Sequence, residues 1–77
     1  MDNFFSLALG KENTPYYIFQ INSDLSVRRR LLELGFTSGS IVKISKKSQS
    51  KGVFLLEIRN YVLALKREEV SKIMVKK

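Results

Sequence analysis

The stretch VFLLEIRNYVLAL, residues 53 to 65, holds two apolar runs with only Arg59 and Asn60 between them. A two-residue gap makes a tight hairpin, so 53–58 and 61–65 are expected to pair as antiparallel strands. Asparagine tolerates the positive φ that such turns require, which assigns that conformation to Asn60. Two strands alone are marginal in water, so the rest of the chain has to be built around this ribbon.

Three more segments read as strands. YYIFQI, residues 16 to 21, is aromatic and β-branched and follows turn-prone Gly10, Asn13 and Pro15. SIVKISKK, residues 40 to 47, alternates, with Ile41, Lys43 and Ser45 on one side and Val42, Ile44 and Lys46 on the other. The polar loop SQSKG precedes the hairpin, and IMV near the end can close the fold. Between the first two strands, Leu25 to Leu34 reads as a helix, with Asp24 or Ser26 as N-cap and Gly35 as its stop. KREEVSK makes a short helical turn near 67–71. The expectation is one domain over residues 1–77, mainly β: a small, partly open barrel of about five strands with one inserted helix over 25–34. The apolar opening FFSLAL is expected in its core.

RRRLLELG, residues 28 to 35, decides how the helix sits. At 100° per residue, Val27, Leu31 and Leu34 share about 60° of arc, the stripe of a core-facing helix. Arg30 flanks that stripe, and Arg29 and Glu33 are spaced to pair. Leu25 and Leu32 form a second apolar line about 140° away, with Arg28 between the two. If the barrel wraps the helix, both lines are buried and Arg28 reaches out to water. If it does not, Leu32 and Arg28 form a docking spot. Burial of both is the expectation, because most leucines on amphipathic helices are core.

Composition removes whole classes of function. The chain has no cysteine and no histidine, so it has no thiolate nucleophile, no ordinary general base near neutral pH and no zinc site on the usual ligands. Glu68 and Glu69 lie between Arg67 and Lys72 and read as a solvated turn. Enzyme activity, a metal site and a cofactor are not expected. Oxygen-only ligands hold transition-metal ions weakly and unselectively. Fourteen Lys and Arg against seven Asp and Glu, net +7, favour an acidic partner: nucleic acid, an anionic membrane face or an acidic protein surface. The apolar runs are too short to span a bilayer, and the N-terminus, beginning MDN, lacks a basic leader. A cytoplasmic protein is expected.

Nucleic acid is the weaker partner class. A DNA-reading helix presents polar side chains to the groove, whereas these arginines are split around an apolar seam. An RNA-binding sheet needs exposed aromatics among basic residues. Phe4, Phe5, Tyr16, Tyr17, Phe19, Phe36, Phe54 and Tyr61 lie in or beside apolar runs and are expected in the core. A basic barrel binding RNA or DNA through Lys46, Lys47 and Lys51 remains the alternative.

LSVRRRLLELGFTSGSIVKI, residues 25 to 44, resembles the signature of the ferrous iron transport protein A (FeoA) family, and RNYVLALKREEVSKIMV, residues 59 to 75, resembles its closing hairpin and turn. Three features depart from the family pattern. Ser38 stands where proline is common, Asn60 where glycine is common, and SKKSQSKG lacks a Gly-Asp-Pro-like segment. The resemblance implies an SH3-like barrel with an inserted helix. It further implies a non-catalytic accessory of bacterial ferrous iron uptake, whose partner is the cytosolic G-protein domain of the FeoB-type membrane permease. Similar domains end iron-dependent transcriptional repressors; with no DNA-binding segment ahead of the barrel, the free-standing accessory is expected here. Arg28, Arg30, Leu32, Lys46, Lys47 and Lys51 are the candidate partner-binding residues. Recruitment to the inner membrane face is at most peripheral, and the open edges of a small barrel suit a weak homodimer.

Overall fold

The structure, a computed structural model, describes residues 3–48 and 50–77. Met1, Asp2 and Gln49 lie outside the described residues, and with them the first two residues of the chain's opening and part of the SQSKG loop. In chain order the elements are β1 (Phe5–Ser6), a 3₁₀ turn (Leu7–Leu9), β2 (Pro15–Ile21), α1 (Leu25–Glu33), β3 (Ile41–Ser48), β4 (Val53–Ile58), β5 (Tyr61–Lys66), α2 (Arg67–Val70) and β6 (Ile73–Lys76).

The strands form one antiparallel sheet in the order β1-β6-β2-β3-β4-β5. The five expected strands are present, and the sixth is β1, which pairs Phe5 with Val75 and Ser6 with Met74. A two-residue strand inside FFSLAL carries too little periodicity to be read from sequence. The sheet ends at β1 and β5 and does not close its hydrogen bonding into a full barrel. It is nevertheless curled, because inward residues from β2, β3, β4, β5 and β6 meet in one cluster with Leu7, Leu31, Phe36 and Val70. FFSLAL divides: Leu7 is fully buried, Phe5 and Ala8 pack against the core, and Phe4 and Leu9 stay exposed.

Two bulges set which side chains enter that core. In β2 the register passes from Ile18↔Val75 to Gln20↔Met74, leaving Phe19 as the extra residue. Strict alternation would turn Ile21 outward if Tyr16 and Ile18 point in; the extra residue brings all three to the buried side. In β3 the register passes from Ile44↔Leu56 to Lys46↔Leu55, with Ser45 extra. Simple alternation puts Lys46 on the side of Val42 and Ile44. The structure corrects this: Val42 and Ile44 are fully buried and Lys46 is exposed. The bulge turns Lys47 inward in place of Lys46, and there its ammonium is compensated by the Ala8 carbonyl and the Phe54 ring.

The hairpin turn also differs in detail. Ile58 pairs with Tyr61 across Arg59 and Asn60, as expected, but the positive φ falls on Arg59, at 55°, and not on Asn60. A positive φ at a central position is what two-residue hairpin turns that match strand twist require. The turn is held from outside. The Tyr61 hydroxyl donates to the Leu34 carbonyl at the end of α1, and the Arg59 side chain lies over Gly35. Gly35 has φ +110°, and a Cβ there would sit 3.0 Å from Arg59 Nε. Only glycine meets both conditions.

Candidate interaction site on the helix

α1 begins where the sequence places it. Asp24 is the N-cap: its Oδ1 accepts from the Val27 N–H at 3.0 Å and from the Ser26 hydroxyl at 3.3 Å. The Val27 N–H bond, seconded by Ser26, holds the Asp24 carboxyl below its ordinary range. At the other end Leu34 caps the helix and Gly35 reverses the chain.

The core stripe is as the wheel predicts, with Leu31 fully buried and Val27 and Leu34 packed against the core. The second line is not buried. Leu25 is 62% exposed and Leu32 43% exposed, and Arg28 is exposed between the two stripes. This overturns the expectation that the barrel would wrap the helix. The nine-residue helix meets the core along the Val27–Leu31–Leu34 stripe only, so the far side stays in water. The predicted Arg29–Glu33 pair is also replaced: among the described residues, the ion pair on α1 joins Arg30 to Glu69 of α2. Glu69 is half-buried and also accepts from the Lys66 N–H at 3.1 Å. It is a tie between α1 and α2, not part of a solvated turn.

A depression of about 350 Å³ runs between β2 and α1, and Arg28 and Leu32 form its helix side. Phe36 and Ser38 line it from the chain beyond Gly35, and Gln20 and Asn22 from β2 and its end. Arg28 leans across its rim, a guanidinium nitrogen 3.4 Å from the Ser23 carbonyl. The Ser23 hydroxyl, buried at this edge, has no hydrogen-bond partner among the described residues. Ser23 and Asn22 carry no sequence signal of a site, because NSD reads as punctuation between strand and helix.

The six candidates therefore separate. Arg28 and Leu32 share one depression. Arg30 is engaged with Glu69. Lys46 is exposed on β3, and Lys51, in the following turn, borders a different depression with α2. Lys47 is tied down inside the fold: its N–H donates to Glu12 Oε2 at 2.7 Å, and its ammonium donates to the Ala8 carbonyl at 3.2 Å and sits 5.6 Å from the Phe54 ring centre. Among the described residues, no group of three or more acidic side chains gathers as a metal would need.

The helix with its Gly35 stop, pinned by the RNY turn of the hairpin, is the arrangement in which the two familiar segments meet. The FeoA domain family matches residues 5–77. The chain belongs to the FeoA family. A FeoA-like protein from Clostridium acetobutylicum superimposes with a TM-score of 0.87 at 24% identity, covering 99% of this chain and 88% of that one. FeoA from Stenotrophomonas maltophilia, a prokaryotic SH3 domain protein solved with zinc, gives 0.79 at 24% identity, covering 91% and 87%. A manganese-dependent transcriptional repressor gives 0.90 at 14% identity, covering 100% of this chain and 43% of the longer repressor. No curated protein sequence matches the chain. The fold is thus mainly β and SH3-like, with one inserted helix and a sheet that does not close.

Proposed function

We propose that this protein is a non-catalytic accessory of bacterial ferrous iron uptake and docks on the cytosolic G-protein domain of a FeoB-type permease. The family supports the iron-uptake setting, and the S. maltophilia relative has been suggested to activate ferrous iron transport. The observation that carries the docking reading is the exposed line of α1. Leu25 and Leu32 are open to water beside Arg28, on a helix whose core contacts are already made by Val27, Leu31 and Leu34. An apolar centre with a cation at its rim is the anatomy of a binding spot for a partner of opposite charge. With net charge +7, the partner surface it fits is acidic.

The test is a binding titration against the isolated G-protein domain, with and without guanine nucleotide, at two salt concentrations. Affinity should fall with salt, and Leu32→Asp and Arg28→Glu should each weaken it at least ten-fold while circular dichroism shows the fold intact. Unchanged binding by both folded variants would remove α1 as the docking surface. No binding by the wild-type protein would remove the G-protein domain as the partner.

A further inference from the structure

The outer face of the sheet is a second surface, and the strand register shows how it is composed. The sequence alone places the aromatic residues in the core, and Tyr16, Phe36 and Phe54 are there. Phe4, Tyr17 and Tyr61 are not; they are exposed, and Phe4 stacks on half-buried Phe19 with ring centres 4.6 Å apart. Tyr17 stands between Lys76 on β6 and Ile41 on β3. The next row outward runs Pro15, Lys43, Glu57, Val62, and beyond the β3 bulge lies Lys46, Leu55, Ala64. Tyr17, Ile41, Leu55 and Val62 are 38% to 54% exposed. The face therefore carries two apolar lobes, Phe4–Tyr17–Ile41 and Leu55–Val62–Ala64. Lys76, Lys43, Lys46 and Arg59 are set among them, against one acid among the described residues, Glu57.

We propose that this outer sheet face rests on an anionic membrane surface. Charge complementarity selects the occupant. Cations spread over several strands meet a layer of phosphates without needing a shaped pocket, and aliphatic tips between them can enter the headgroup boundary. A second copy of the chain would set the same cations against each other. Single-stranded nucleic acid suits the face less well, since base stacking needs free rings. Of the rings on this face, Phe4 and Phe19 stack on each other, with the Lys76 ammonium 5.5 Å from the Phe19 ring centre, which leaves exposed Tyr17 as one platform where a strand of bases needs several. The isolated protein suffices for this contact, so the proposal stands or falls independently of the G-protein domain.

The experiment is co-flotation with vesicles of phosphatidylcholine alone, and of phosphatidylcholine with roughly one third phosphatidylglycerol, at low and physiological salt. Binding to the anionic vesicles only, weakened by salt, is expected. Lys43→Gln with Lys46→Gln should weaken partition roughly thirty-fold, about five-fold per charge, whereas Glu57→Gln should strengthen it. Arg29→Gln with Arg67→Gln removes equal charge away from the face and should cost much less. Ile41→Ser with Leu55→Ser should weaken binding at unchanged net charge. Equal losses in the two charge-matched pairs, equal binding to neutral vesicles, or no vesicle binding beside firm binding to a single-stranded RNA oligonucleotide would each overturn the proposal. Leu32→Asp, which tests the helix, should leave flotation unchanged.

Discussion

Leu31 and Leu32 are neighbours in sequence with opposite surroundings. Leu31 has no exposed surface and Leu32 keeps nearly half of its own. Leu31→Ala leaves a cavity in the core and should destabilise the protein by about 2–5 kcal/mol. Leu32→Ala should change stability by less than about 0.5 kcal/mol. Urea denaturation of the two variants measures the contrast directly. Asp24 gives a second residue-level prediction. Its carboxylate is held below the ordinary range by the Val27 N–H and the Ser26 hydroxyl. A group with a lowered folded pKa contributes stability above its unfolded value, and that contribution is lost as pH falls through the folded value. Asp24→Ala should therefore lower the melting temperature at pH 7, and the difference from wild type should shrink as pH drops below the carboxylate range. Leu31 could be named from sequence by its stripe, and Asp24 as one of two capping candidates beside Ser26. The exposure of Leu32 could not, because it depends on how far the sheet wraps.

Among the elements, α1 and the β4–β5 hairpin are joined at one corner. The Tyr61 hydroxyl occupies a helix-end carbonyl, at Leu34, and Arg59 covers the adjacent Gly35. Tyr61→Phe keeps the ring and loses the hydrogen bond, and should cost about 0.5–1.5 kcal/mol. If the contact couples the elements, amide exchange in the last turn of α1 should quicken while β3 stays protected. Equal protection in that turn would show the two elements to be independent. The Arg30–Glu69 pair ties α1 to α2 in a similar way, yet the arginine is largely exposed, so Arg30→Ala should cost less than about 1 kcal/mol. The bulges at Phe19 and Ser45 belong to this scale too. Neither residue advertises a bulge. Each acts through its neighbours: the first brings Ile21 to the core, and the second turns Lys47 to its partners at Ala8 and Phe54 and leaves Lys46 in water.

Over the whole molecule, the charge excess and the absence of histidine and cysteine define what the protein can bind. Anaerobic addition of Fe(II) should leave the melting temperature unchanged. A stoichiometric micromolar site, saturated a hundred-fold above its dissociation constant, would add about 2.7 kcal/mol and be seen at once. Five of the six strands, the helix and its stop, and the tight hairpin were legible in the chain, since periodicity and turn chemistry act over a few residues. The sequence by itself therefore determined the elements from β2 onward and the stripe of α1 that meets the core, but not β1 or the 3₁₀ turn that follows it. Tertiary structure alone decided the rest: that the sheet stays open, that Leu25 and Leu32 face water, that Lys47 turns inward to Phe54 while Lys46 turns out, and that Phe4, Tyr17 and Ile41 lie on an outer face among lysines. Each of these depends on which distant strand lies alongside, and on how much of a short helix an open sheet can cover. Local patterns carry neither quantity.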